Sequence, residues 1–121
     1  MKKWLAGLLL SFAFCSTAVA EDDRYLTEKR DLAGILGEVH YLRTLCNGQK
    51  DQIWRNYMRD FLDIEGQPKS RRSLFVSAFN RGYKNQRRRT DSCSQSAVNT
   101  ERHLSSRGRA LSEKIAMSYL Q

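Results

Sequence analysis

Few side chains in this 121-residue sequence can do chemistry. They are Cys46 and Cys93, the two histidines His40 and His103, and the carboxylates Glu38, Asp60, Asp63 and Glu65. To these is added the stretch FNRGYKNQRRRTDSC at residues 79–93, which carries five basic side chains, two aromatics and a cysteine. The four sets imply different chemistry: a disulfide or a thiolate, metal ligation or proton transfer, acid–base hydrolysis, and the gripping of anions.

The histidines have no partner at ligand spacing. Residues two apart on a helix point in different directions, so Glu38 is badly placed for His40 and Glu101 for His103. There is no H-E-x-x-H, no second ligand at i+4 and no closed cysteine–histidine set. Both are read as surface or interhelical histidines, with neither a metal nor a cofactor expected. Asp60 and Asp63 stand at i, i+3 and could act as neighbours in sugar hydrolysis. Arg59, Lys69, Arg71 and Arg72 nevertheless offer plain salt-bridge partners, so a solvated charged rim is expected. A small cell-envelope hydrolase drawing a carboxylate pair from Glu38, Asp60, Asp63 or Glu65 stays as the alternative. Neither G-x-S-x-G nor a phosphate-cradling glycine loop is present.

The basic residues are the better candidate. On a helical wheel Arg81, Lys84 and Arg88 project together beside the apolar side, and Arg87 joins them, with Arg71 and Arg72 near the start of the same helix. Asn80 lies about 150° from the centre of the apolar stripe, so core packing does not explain its amide. Asn80, Arg81, Lys84, Arg87 and Arg88 are therefore the candidate binding face, able to hold carboxylates or phosphates through bidentate arginine contacts. Trp54 and Tyr57, which flank Arg55, have the chemistry of interface anchors and would suit a structural subunit of an envelope assembly. They suit a core as well, and that reading is preferred.

The N-terminus restricts the partners. Residues 1–20, MKKWLAGLLLSFAFCSTAVA, combine a charged start, an apolar run from Trp4 to Cys15 and an Ala-x-Ala ending, the layout of a cleaved secretory signal peptide. The run is shorter than the roughly twenty residues of a membrane span. Phe14 precedes Cys15 where a lipid-modified cysteine wants a small residue, so Cys15 is read as part of the discarded segment. The mature chain, residues 21–121, is expected to be a single periplasmic domain with no transmembrane segment. It keeps 19 basic against 13 acidic side chains, a net +6. That excess favours an anionic envelope component or an acidic protein as partner, and export argues against nucleic acid.

The elements that must position these residues follow from apolar periodicity near 3.6 in four blocks, with a single proline and no alternating run suited to a strand. The first helix is expected from Tyr25 to Cys46, with Leu32, Ile35, Leu36, Val39, Leu42, Leu45 and Cys46 on one face and Asn47-Gly48 as its stop; Glu21–Arg24 before it are expected to fray. The second runs from Lys50 to Glu65, with Ile53, Trp54, Tyr57, Met58, Phe61, Leu62 and Ile64 on a broad stripe, and Gly66-Gln67-Pro68 ends it. The third runs from Ser70 to Arg88 and buries Leu74, Phe75, Ala78, Phe79, Gly82 and Tyr83. The fourth, capped by Asp91 or Ser92, continues to Leu120 with Ala97, Thr100, Leu104, Leu111 and Ile115 inward. Gly108 weakens it by roughly 1 kcal/mol relative to alanine and marks either a close crossing or a break.

The fold class is therefore all-α, a small bundle of four helices. Two cysteines in an exported domain allow one intramolecular bond. It would join the end of the first helix to the beginning of the last, and closing so long a loop is worth about 4 kcal/mol in the chain-entropy model.

HYLRTLCNG at 40–48, Trp54-Arg55 and Met58, FNRGY at 79–83, and Cys93 followed by Ala97 resemble a family of small exported alphaproteobacterial proteins of unknown function. The resemblance spans nearly all of the mature chain and implies cysteines paired at 46 and 93. It carries no catalytic assignment.

Overall fold

The computed structural model describes residues 25–120. The expected signal peptide of residues 1–20, Cys15 within it, and the expected fraying of 21–24 lie outside that range. Four helices follow one another: α1 Leu26–Asn47, α2 Ile53–Glu65, α3 Lys69–Arg89 and α4 Gln95–Ser118. No strand occurs among the described residues.

α1 is the hub, and α2, α3 and α4 all pack on it. Its buried positions therefore run all the way round the helix, from Leu32, Ala33, Leu36 and Val39 to Lys29, His40, Tyr41 and Thr44. Of the single face expected from periodicity, Leu45 and Cys46 are only half-buried. Small residues bring α3 close: a β-carbon on Gly37 would lie 1.9 Å from the Phe79 carbonyl oxygen, and one on Gly82 would lie 2.1 Å from that of Gly34. The two backbones touch where no side chain fits, as glycine alone allows. Gly108 is likewise a crossing and not a break, since α4 is continuous and a β-carbon there would stand 3.3 Å from Ile35 Cγ2.

α1 ends where expected, at Gly48, whose φ of 94° belongs to the left-handed region. α2 starts three residues later than Lys50, at Ile53. Asp51 organises the intervening turn, accepting from Asn47 Nδ2 at 2.9 Å, from Arg43 Nε at 3.1 Å and from the Ile53 amide at 3.4 Å. The broad stripe on α2 is only partly covered: Met58, Phe61 and Leu62 are buried, whereas Ile53, Tyr57 and Ile64 are exposed. The reason is that α2 and α4 both lean on α1 without packing along each other. The chain then turns through Gly66 and a cis Gln67–Pro68 bond into α3.

Ser94, not Asp91 or Ser92, caps α4, its hydroxyl accepting from the Ala97 amide at 3.2 Å. Cys93 therefore lies just ahead of the helix. It is bonded to Cys46 with the two Cα atoms 5.1 Å apart, so the end of α1 is stapled to the entry of α4. Arg43 strengthens the same end by bridging Asp51 at 3.1 Å and Glu101 at 3.5 Å. At the opposite end Lys114 donates to Glu28 at 2.9 Å. The core joins two clusters, one around Phe61 and Phe75, the other around Val39, Leu42 and Leu104, with Trp54 and Leu111 packed against both.

Candidate functional site

Arg55 and Arg59 stand at i, i+4 on α2, and Arg72, Val76 and Asn80 follow at the same spacing on α3, so each set forms a row along its own helix. The rows face each other across a groove of about 290 Å³ floored by Met58, Leu62, Val76 and Phe79. None of the three guanidiniums makes an ion pair among the described residues. Positive charge is thus concentrated over an apolar surface, where nearby water is partly excluded and attraction for an anion is strengthened. Asn80 adds an amide able to donate or accept.

His40 lies behind this groove, buried, with its ring centroid 5.8 Å from those of both Phe79 and Tyr83. Burial pushes its pKa below the usual histidine value and the Arg55 charge lowers it further, while Asp51 opposes both. His40 Nδ1 has no hydrogen-bond partner among the described residues. His103 is exposed.

The remaining basic residues of α3 are distributed differently. Arg81, Lys84, Arg87 and Arg88 are all exposed. Arg81 lines a separate cleft between α1 and α3 with Arg30, Asp31, Glu38, Asn85 and Arg107, where carboxylates offset part of the positive charge. Arg87 lies over the Tyr83 ring at 6.0 Å, and Arg88 donates to Asn85. The structure thus places Asn80 with Arg55, Arg59 and Arg72, and Arg81 on the other flank of α3. In sequence Arg59 reads as a salt-bridge partner of the acidic rim and Arg55 as the residue flanked by Trp54 and Tyr57; their i, i+4 spacing beside Met58 and Leu62 is the signal of a shared face.

Glu65 corrects the expectation of a solvated acidic rim. Asp60 and Asp63 are exposed, but Glu65 is buried and forms a 2.7 Å ion pair with the equally buried Lys29, while its other oxygen accepts from the Tyr119 hydroxyl. The Lys29 ammonium also sits 5.6 Å from the Tyr119 ring centroid. Burial alone would lower the Lys29 pKa, yet the Glu65 carboxylate outweighs it and holds the pKa above the ordinary lysine value. Burial raises the Tyr119 pKa, and its bond to Glu65 adds to the effect. Glu38, in turn, lines the α1–α3 cleft, apart from the acidic residues of α2, and accepts from Gln86 at 3.4 Å. Among the described residues, no three His, Cys, Asp or Glu side chains gather as a metal site would require.

Fold and site together define a disulfide-stapled helical bundle with a cationic, apolar-floored groove between its second and third helices. The chain belongs to the family described as "Protein of unknown function (DUF2385)", whose model matches residues 24–119. No significant match is found among curated proteins or among solved structures.

Proposed function

We propose that the protein is an exported, non-enzymatic binding or accessory module of the periplasm that meets an anionic cell-envelope component, or an acidic protein, through the basic side built on α2 and α3. The observation that carries this reading is the set Arg55, Arg59 and Arg72, without ion-pair partners among the described residues, facing one another with Asn80 over an apolar floor. Such a surface suits an anionic group borne on an apolar body, because guanidiniums hold carboxylate or phosphate oxygens in pairs while the floor takes the carbon next to them. Lys84 and Arg87, exposed further along α3, extend the positive field for long-range attraction.

Export is supported by the layout of residues 1–20 and by a family match that begins at residue 24. No helix among the described residues is long and apolar enough to cross a membrane.

The test is association with purified envelope fractions and with vesicles of phosphatidylglycerol in phosphatidylcholine, measured at low and high salt. Capture by either that falls steeply with salt and is absent from neutral vesicles is the expected result. Capture that ignores both salt and lipid charge, or no capture by either material, contradicts the reading.

A further inference from the structure

On the far side of α2 from the arginine groove, the gap between α2 and α4 opens into an apolar crevice with two lobes of about 320 Å³ and about 380 Å³. Leu32, Tyr57 and Ser112 line both lobes, and a single 3.2 Å hydrogen bond between Tyr57 Oη and Ser112 Oγ spans the gap where they meet. The floor is made of core side chains of α1, among them Ile35, Leu36 and Val39. The banks remain apolar in solvent: Tyr57, Ile64 and Tyr119 are 43%, 74% and 62% exposed. Clefts of this size with apolar walls and a few polar groups are the usual form of a small-molecule site.

We propose that this crevice binds the alkyl chain of a long-chain carboxylate, with the carboxylate held at Arg109. The shape selects the chain. A flat membrane surface or the convex face of a second copy cannot follow a slot down to the core side of α1, and only a thin, flexible occupant fits on both sides of the Tyr57–Ser112 bond. Charge sets the direction. Arg109 lines the first lobe and has no ion pair among the described residues, whereas Asp60 and the Lys29-paired Glu65 line the second. An anionic head is thus drawn to the first lobe and repelled by the second. The first lobe also contains Trp54, whose buried Nε1–H has no acceptor among the described residues, a donor that a carboxylate oxygen would satisfy. The site is separate from the α2–α3 groove and does not depend on the reading given to it.

The chain starting at Glu21 has Trp54 as its only indole, so its own fluorescence reports on the crevice. Dodecanoate brominated at the carbon next to its carboxylate, titrated below its micelle concentration into the chain starting at Glu21, is expected to quench Trp54, which lines the head-group lobe, saturably and to be displaced by plain dodecanoate. Arg109→Glu should weaken binding roughly tenfold by removing the head-group contact. Ser112→Leu should abolish binding by filling the point where the lobes meet; Arg109 is exposed and Ser112 half-buried, and far-UV circular dichroism of both variants should match that of the parent. Absence of quenching, quenching that survives Ser112→Leu, or binding lost with Arg72→Glu but kept with Ser112→Leu would each overturn the proposal.

Discussion

Gly82 of α3 lies against the backbone of Gly34 on α1, so close that a β-carbon on Gly82 would stand 2.1 Å from the Gly34 carbonyl oxygen. The clash is with backbone, which no rotamer change relieves. Gly82→Ala therefore must push the helices apart and loosen the seat of Phe75 and Ala78, a loss of about 3 kcal/mol or more. Urea unfolding of the variant should show it as a lower midpoint; an unchanged midpoint would mean that the crossing is looser than described.

The staple is the second prediction. Cys46 and Cys93 are 47 positions apart, and opening that loop should cost about 4 kcal/mol in the chain-entropy model. Cys46→Ser/Cys93→Ser, or reduction, should lower the unfolding free energy by about that amount, while thiol titration of the native protein detects no free thiol from the pair. Reactive thiols in the folded, oxidised protein would remove the bond.

Lys29 and Glu65 supply the third. Breaking a buried pair strands one charge, so Glu65→Gln and Lys29→Met should each cost about 3 kcal/mol or more. Replacing both residues with apolar ones of similar volume should cost much less than the two single changes added together. A double-mutant cycle in thermal unfolding measures the coupling, and additive single effects would show that the pair is screened.

His40 gives a pH dependence of definite sign. Its folded-state pKa lies below its ordinary value of 6.5, first because it is buried and then because Arg55 is near. The unfolded chain therefore binds the proton more readily, and the neutral, buried ring contributes stability that is full above pH 6.5 and lost as the pH falls toward the lower folded value. Denaturant unfolding between neutral and mildly acidic pH should show this loss, and His40→Phe should reduce it. An unaltered pH slope in the variant would assign the effect to other groups.

Much of this architecture was legible from periodicity. α1 and α3 fall within one residue of the ends expected for them, because Gly48 and the Gly66–Pro68 turn are local signals. What escaped was decided between helices. Lys29 and Glu65 are ordinary charged residues in sequence and become buried only because α1 and α2 meet there with Tyr119. Ile53, Tyr57 and Ile64 look like core and stay exposed because no element covers that edge of α2. Gly34 and Gly37 gave no apolar signal, although they set the α1–α3 distance. At the candidate site, Asn80 was recognisable as an amide that packing did not require. Its companions Arg55 and Arg59 were not, since their position depends on how α2 lies against α3.

The most direct measurement compares two charge reversals of equal size in salt-dependent binding to anionic vesicles and envelope fractions. One reverses Arg55, Arg59 and Arg72 in the groove; the other reverses Arg81, Lys84 and Arg88, which lie on α3 outside it. The groove reversal is predicted to weaken binding about a hundredfold, and the outer reversal only modestly through the long-range field. Equal losses from the two sets would show that net charge alone governs binding, and would contradict a site between α2 and α3.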